Sequence, residues 1–246
     1  MKIGVFKFSS CDGCQLAFFD IAPEIINSEY IEISYFLEAT SFNIYDRFDV
    51  AFVEGSISTR EEEERIKDIR DRSKIVVAIG ACAVSGGIQS ARNFGNFEEI
   101  YSFTYRENYF KDINPLSKPI SDFVSVDYTV RGCPVNAEEI IEIITSLLLN
   151  KTPHINESPV CIECKRKSIP CLLVMGSPCL GPITVDGCGA LCPSLNRGCY
   201  GCFGPIKGAN FESLRDLFKE RGFNFEELIK TGFNAYNPYF RGVIWR

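Results

Sequence analysis

Histidine is almost missing from this 246-residue chain, which holds one, His154. A lone imidazole in a linker reads as a solvated residue rather than a ligand or a catalytic base. No stretch approaches the ~20 apolar residues of a membrane span. The segment Met1 to Ser10 has no long apolar signal core, small-residue cleavage site or twin arginine, so a cytoplasmic location is expected. Basic charge is in deficit: 26 Lys and Arg against 32 Asp and Glu give −6, which offers no footprint for nucleic acid. There is no internal repeat and no low-complexity stretch. Neither G-x-G-x-x-G nor Gly-Lys-Ser/Thr occurs, so no coenzyme or phosphate loop is expected. The nearest candidates, Gly80-Ala81-Cys82-Ala83 and Ser85-Gly86-Gly87, carry a cysteine in their midst, which argues against a nucleotide. What remains, 46% hydrophobic and 24% charged residues, is the composition of a globular protein.

Cysteine, by contrast, is abundant: twelve residues, three sets of four, and four thiolates is what one [4Fe–4S] cluster takes. Cys11, Cys14, Cys82 and Cys133 are scattered. The other eight fall between Cys161 and Cys202, opening and closing on Cys-x2-Cys pairs. A disulfide framework needs an oxidising compartment, which the first ten residues do not suggest. Structural zinc is the serious alternative, since it too uses Cys-x2-Cys pairs, although zinc knuckles are local and the first four cysteines are not. Glycines and prolines beside the cysteines (Gly132, Gly181, Gly187, Gly201, Pro134, Pro178, Pro193) suit a backbone wrapped around a bulky iron–sulfur cluster.

Residues 1–150 read as strands alternating with helices. Continuous apolar runs at Lys2–Phe8, Asp49–Val53, Lys74–Ile79 and Val124–Val130, with an alternating run at Ile31–Phe36, predict a parallel, doubly wound, flavodoxin-like sheet. Helices are expected over Gln15–Ile26, from a capping box at Ser58–Glu62 to about Arg72, and from Asn136 to Leu149. Glu61–Arg65 and Glu63–Lys67 are spaced to pair on the solvated face of the middle helix. The aromatic stretch Ser90–Lys118 carries no assignment. All four early cysteines then follow carboxyl ends of parallel strands, the rim where open α/β sheets bind ligands. The first pair opens a helix, whose amino end favours anions.

Residues 151–246 are expected to form an irregular domain organised around its metal centres, because Cys161–Cys202 is too rich in Gly, Pro and Cys to build a core unaided. The natural division puts Cys161, Cys164, Cys171 and Cys179 on one cluster, and Cys188, Cys192, Cys199 and Cys202 on another; spacing leaves one exchanged ligand open. Two short helices, Asn210–Arg221 and Asn224–Lys230, close the chain. Their Phe211, Phe218 and Phe225 read as packing rather than as a partner site.

Cys11-Asp12-Gly13-Cys14-Gln15, Val53-Glu54-Gly55-Ser56-Ile57, Gly80-Ala81-Cys82-Ala83 with Gly86-Gly87, and Arg131-Gly132-Cys133-Pro134 resemble the proximal-cluster motifs of [NiFe]-hydrogenase small subunits. Cys179-Leu180-Gly181-Pro182 and Cys199-Tyr200-Gly201-Cys202 resemble the motifs of that family's other two clusters. The resemblance spans roughly residues 1–208. It implies an electron-transfer subunit with a proximal [4Fe–4S] cluster on Cys11, Cys14, Cys82 and Cys133, a distal one on Cys161, Cys164, Cys171 and Cys179, and a medial one on Cys188, Cys192, Cys199 and Cys202. No Ni–Fe centre, flavin or nucleotide is implied on this chain. Cys161 stands where many members have histidine, and Cys192 where many have proline. Those departures resemble the cytoplasmic heteromultimeric hydrogenases, particularly the delta subunits of NAD(P)-linked sulfhydrogenases. The implied partners are a [NiFe] large subunit, which splits H2, and flavin- and iron–sulfur-bearing subunits that pass electrons to NAD(P) or sulfur. F420- or heterodisulfide-linked hydrogenases are the alternative within electron transfer, and a zinc-stabilised binding module the alternative outside it. Glu54 is implied beside the proximal cluster, as its neighbour or on a proton path; the plainer reading is a strand-end carboxylate capping the next helix.

Overall fold

In a computed structural model, which describes residues 1–26, 28–105, 112–232 and Tyr236, the chain divides into two compact units, Met1–His154 and Ile155–Arg246. Along the first unit run β1 (Lys2–Lys7), α1 (Gly13–Ile26), β2 (Glu32–Phe36), β3 (Phe48–Glu54), β4 (Ile57–Thr59), α2 (Arg60–Arg72), β5 (Ser73–Ile79) and α3 (Gly80–Ser85). A 3-10 turn at Ile88–Phe94 leads to α4 (Phe97–Thr104), β6 (Ile113–Lys118), β7 (Tyr128–Val130) and α5 (Ala137–Leu148).

Five of these strands form one parallel sheet in the order β2-β1-β3-β5-β7. Counting its strands alone, this is the flavodoxin-like order 2-1-3-4-5. Side chains alternate between the faces of a strand. One face therefore presents Ile3, Val5, Val50, Phe52, Val77, Ile79 and Val130 to Phe18, Ile21 and Ile25 of α1 and to Ile140, Ile143 and Ile144 of α5, in a single core. The opposite side is covered by α2, which packs on β3 and β5 through the fully buried Ile66 and Ile69. Each such side chain contributes about 1.5–3 kcal/mol by leaving water. Helices on both faces force every connection over the sheet's ends, and the crevice where the order reverses lies between β1 and β3.

Thr59 starts α2: its side chain accepts from the Glu62 N–H, and Glu62 Oε2 accepts in return from the Thr59 and Ser58 amides, at 3.1 and 2.7 Å. The two ion pairs expected on its outer face do not form. Arg65 donates instead to the Lys7 carbonyl (3.1 Å) and lies over the Phe8 ring, while Glu63 accepts from Asn114 (2.7 Å). β7 is shorter than the expected Val124–Val130. The Asp127 carboxylate takes the Val76 N–H (2.8 Å) while the Asp127 N–H donates to the Val76 carbonyl (2.9 Å), so a side chain replaces the ladder there. The unassigned stretch 90–118 holds α4 and β6, and β6 pairs antiparallel with β4; its residues 106–111 lie outside the described ones.

The second unit contains α6 (Cys161–Arg166), α7 (Leu191–Ser194), α8 (Phe211–Glu220) and α9 (Phe225–Gly232). Asn210 caps α8 by accepting from the Ser213 N–H (2.9 Å). Phe218 and Phe225 are buried edge to face, 5.7 Å apart, so these two rings do pack inward, whereas Phe211 is half-buried. Among the described residues no helix is long and apolar enough to cross a membrane.

Candidate metal centres

Each early cysteine stands just past the carboxyl end of a strand of the parallel sheet. β1 leads to exposed Cys11 and, in the first turn of α1, buried Cys14. β5 runs straight into α3, which carries Cys82. β7 leads to Cys133, whose bond to Pro134 is cis. The Ala81 N–H donates to the Gly132 carbonyl (2.8 Å), tying the last two turns together. Gly80 makes the crowding possible: its φ is +83°, and a Cβ there would overlap Cys14 Sγ.

The four thiols influence one another. Burial is the main cause holding Cys14 and Cys133 above the ordinary thiol value and pushing Cys82 up to about 12. Mutual repulsion adds to it: Cys82 and Cys133 act on Cys14, Cys133 and Cys11 on Cys82, and Cys11 on Cys133. Three further side chains hold the rim. Lys7 reaches Asp12 (2.8 Å) and Glu38 (3.4 Å), bracing the turn between Cys11 and Cys14. Gln89 donates to the Ser9 carbonyl (2.6 Å) and turns its Oε1 toward Cys82 Sγ, 3.7 Å away.

Glu54 is the third. At the end of β3 and 1% exposed, it does not cap the following helix. Its Oε1 accepts from the Cys14 N–H (3.1 Å), so it caps α1. Burial raises its carboxyl; the Cys14 amide, Gln15 and Ser10 pull the other way, yet Oε2 closes no hydrogen bond among the described residues. A buried carboxylate oxygen without a partner is uncommon, and this one lies beside Cys14.

In the second unit α6 carries Cys161 and, one turn on, Cys164. Burial pushes Cys161 up to about 11, with Cys179, Cys164 and Cys171 adding to it. Cys164 is raised by burial, then by Cys179, Glu163, Cys171 and Cys188. Cys171 and Cys179 thus both act on Cys161 and Cys164. Of the remaining four, Cys188 is raised by burial, then by Glu163 and Cys192, and Cys199 by burial, then by Cys179 and Cys202. Contacts also run across this division. The Cys199 N–H donates to Cys179 Sγ (3.2 Å) and the Leu180 N–H to the Cys199 carbonyl (3.1 Å). Gly198 permits that approach, because a Cβ there would overlap the Pro178 carbonyl. The Gly201 N–H donates to Cys199 Sγ (3.4 Å).

None of the twelve cysteines is joined to another in a disulfide. Among the described residues, which include every cysteine, no three His, Cys, Asp or Glu side chains gather as they would on a single metal ion. Thiolates sharing one zinc sit roughly 4 Å apart, as bonds of about 2.3 Å in a tetrahedron require; a cluster of several atoms holds its ligands farther apart. Sulfur-only donor sets, glycine-made clearance and amides aimed at sulfur fit an iron–sulfur cluster. Burial raises Cys14, Cys82, Cys133, Cys161, Cys164, Cys188 and Cys199, and a group bound there would have to offset that by bringing positive charge. His154 is exposed, its backbone N–H on Glu142 (3.2 Å), and stands apart from this chemistry. Gln89 escapes sequence reading because its tie to Cys82 depends on the 3-10 turn. Glu163 left a signal: a carboxylate inside a Cys-x2-Cys pair repels both thiolates unless something else engages it.

Residues 11–147 match the family described as NADH ubiquinone oxidoreductase, 20 kDa subunit. Sulfhydrogenase 2 subunit delta of Pyrococcus furiosus is 37% identical over 224 residues, 89% of this chain and 93% of that protein. A vhu subunit of the F420-non-reducing hydrogenase of Methanocaldococcus jannaschii is 35% identical, covering 83% of this chain and 82% of its own. Among solved structures, a chain of an NAD+-reducing [NiFe]-hydrogenase in the H2-reduced state superposes with TM-score 0.57 at 27% identity, over 63% of this chain and 94% of its own.

Proposed function

The chain belongs to the NADH ubiquinone oxidoreductase 20 kDa subunit family, among its hydrogenase small subunits, and from that premise we propose that it conducts electrons through three [4Fe–4S] clusters between a [NiFe] large subunit and a flavin- or sulfur-linked partner. As a hydrogenase subunit it is part of an oxidoreductase but not its catalytic subunit, and membership implies iron–sulfur clusters and a large-subunit partner.

The observation that carries the fuller reading is the convergence of Cys11, Cys14, Cys82 and Cys133, from three separate strand ends, on one crevice. Those four would hold the first cluster. Cys161, Cys164, Cys171 and Cys179 would hold a second, and Cys188, Cys192, Cys199 and Cys202 a third. Bound there, the clusters supply one-electron carriers whose potentials follow ligand type, hydrogen bonding and burial. The chain's own part is to fix the sulfurs and keep water away. Cys14 is buried behind Gly80, with Glu54 holding its amide. On this reading residues 1–150 form the flavodoxin-like domain and 151–246 the domain of the other two clusters, both in the cytoplasm. Glu54 would stand as neighbour of the first cluster, its Oε1 on the Cys14 N–H.

Purification of the full chain with its partners, followed by metal analysis, tests this. About twelve irons with matching acid-labile sulfide, and a nickel-bearing protein in the same complex, are expected. About three zincs without sulfide would instead establish a binding module. The acceptor belongs to the partner: the relatives' names divide between sulfhydrogenase and F420-non-reducing hydrogenase.

A further inference from the structure

Glu163 lies between the two cysteines that α6 supplies, yet its carboxylate serves another loop. Oε1 accepts from the Gly187 and Gly189 amides (2.9 Å each) and Oε2 from the Ala190 amide (2.8 Å), while Cys188 Sγ stands 3.8 Å from Oε2. Four residues on, and so on the same side of the helix, the chain continues to Lys167, whose ammonium donates to the Gly189 carbonyl (2.5 Å). One turn of chain thus grips both the donors and the acceptor of the loop that presents Cys188. Charge-assisted bonds to backbone amides are about twice as strong as neutral ones, and three of them converge on this one side chain.

The geometry points to Glu163 and Lys167 as positioning residues, a two-charge clasp that fixes the Cys188 loop to α6 and sets the reduction potential of the cluster Cys188 holds. The inference rests on Cys188 being a cluster ligand. Two physical effects give Glu163 its direction. Its negative charge beside the sulfur disfavours an added electron, and it occupies amides that would otherwise donate to sulfur and favour that electron. Both lower the potential. The Lys167 charge acts oppositely and more weakly, because that side chain is exposed and screened by water. The clasp also binds the Cys161–Cys164 helix to the Cys188 loop, so the two ligand sets of this unit cannot move independently.

Potentials of the full chain, purified with its clusters and titrated under electron paramagnetic resonance, test this. Glu163→Gln keeps the shape and removes the charge. It is expected to retain wild-type iron while one cluster's reduced-to-oxidised ratio at fixed potential rises about tenfold, about 59 mV for one electron. Lys167→Met is expected to shift the same cluster the other way, by less. A side chain that only supported the loop would move both variants in one direction. No shift in Glu163→Gln, or shifts of the same sign in both, overturns the inference. If Glu163→Gln loses iron, Lys167→Met decides: a lower potential supports the clasp, and an unchanged or higher one overturns it. Cys188→Ser separates the premise. Loss of about four irons upholds the cluster reading whatever the clasp does, whereas undiminished iron removes the reading itself.

Discussion

At the scale of single residues, the crevice at β1 and β3 depends on an absent side chain and on a buried carboxylate. Gly80→Ala places a Cβ against Cys14 Sγ at a left-handed φ, which costs about 1–2 kcal/mol before any overlap is relieved. On the proposed reading the purified variant lacks about four irons and keeps the remaining iron–sulfur signals; iron analysis showing a full complement would contradict the placement. Glu54→Gln leaves an oxygen for the Cys14 N–H and should hold stability within about 0.5 kcal/mol, whereas Glu54→Ala strands a buried donor at a cost of about 1–3 kcal/mol. Urea unfolding of both distinguishes them, and equal losses would show that the bond to Cys14 does not matter. Sequence revealed the cysteines, because a thiol after a strand end needs only the strand to be placed. It did not reveal what Glu54 binds: the Cys14 amide it caps lies 40 residues earlier in the chain, and only the β1–β3 pairing brings the two together.

At the scale of elements, the strands' near ends are held by side chains. Asp49 accepts from the Lys2 N–H and from Lys74 Nζ (2.7 Å each), so one carboxylate links the starts of β1, β3 and β5. The Lys74 ammonium first, then the Lys2 amide, hold its carboxyl below the usual range. A carboxyl depressed on folding stabilises the fold fully above its unfolded value, near pH 4, and that contribution fades as pH falls through the lower folded value. Asp49→Asn should cost ~0.5–1 kcal/mol at pH 7, in the range of surface pairs, and flatten the acid limb of the stability curve; unfolding from pH 7 down to 2 measures both, and superimposable limbs would refute the link. The apolar strands were readable because burial on two faces leaves a continuous hydrophobic run. The end of β7 was not: Asp127 imitates a backbone partner for Val76, which no periodicity records. The stretch 90–118 was unreadable for a related reason, since β6 finds its partner in β4 across more than fifty residues.

At the scale of the molecule, the two units hold themselves together differently. The first has a sheet packed on both faces. In the second, the four α-helices among the described residues have ten residues or fewer and leave much of the organisation to the cysteines. Stripping iron with a chelator should therefore leave the described residues of the first unit protected in hydrogen exchange while residues 155–232 lose most of their protection; uniform loss, or none, would show that both units depend on metal alike. On the proposed reading, the spread of the cysteines also orders events in time. The eight later cysteines lie within one short stretch and can be gathered over small loops, whereas the first four span residues 11 to 133 and meet only after β1, β5 and β7 have paired. Closing distant contacts is slow because chain entropy is lost before anything is gained. During synthesis, then, the site that opens the chain is the one that must wait: its earliest thiols emerge first and stay bare until a strand more than a hundred residues behind them has left the ribosome.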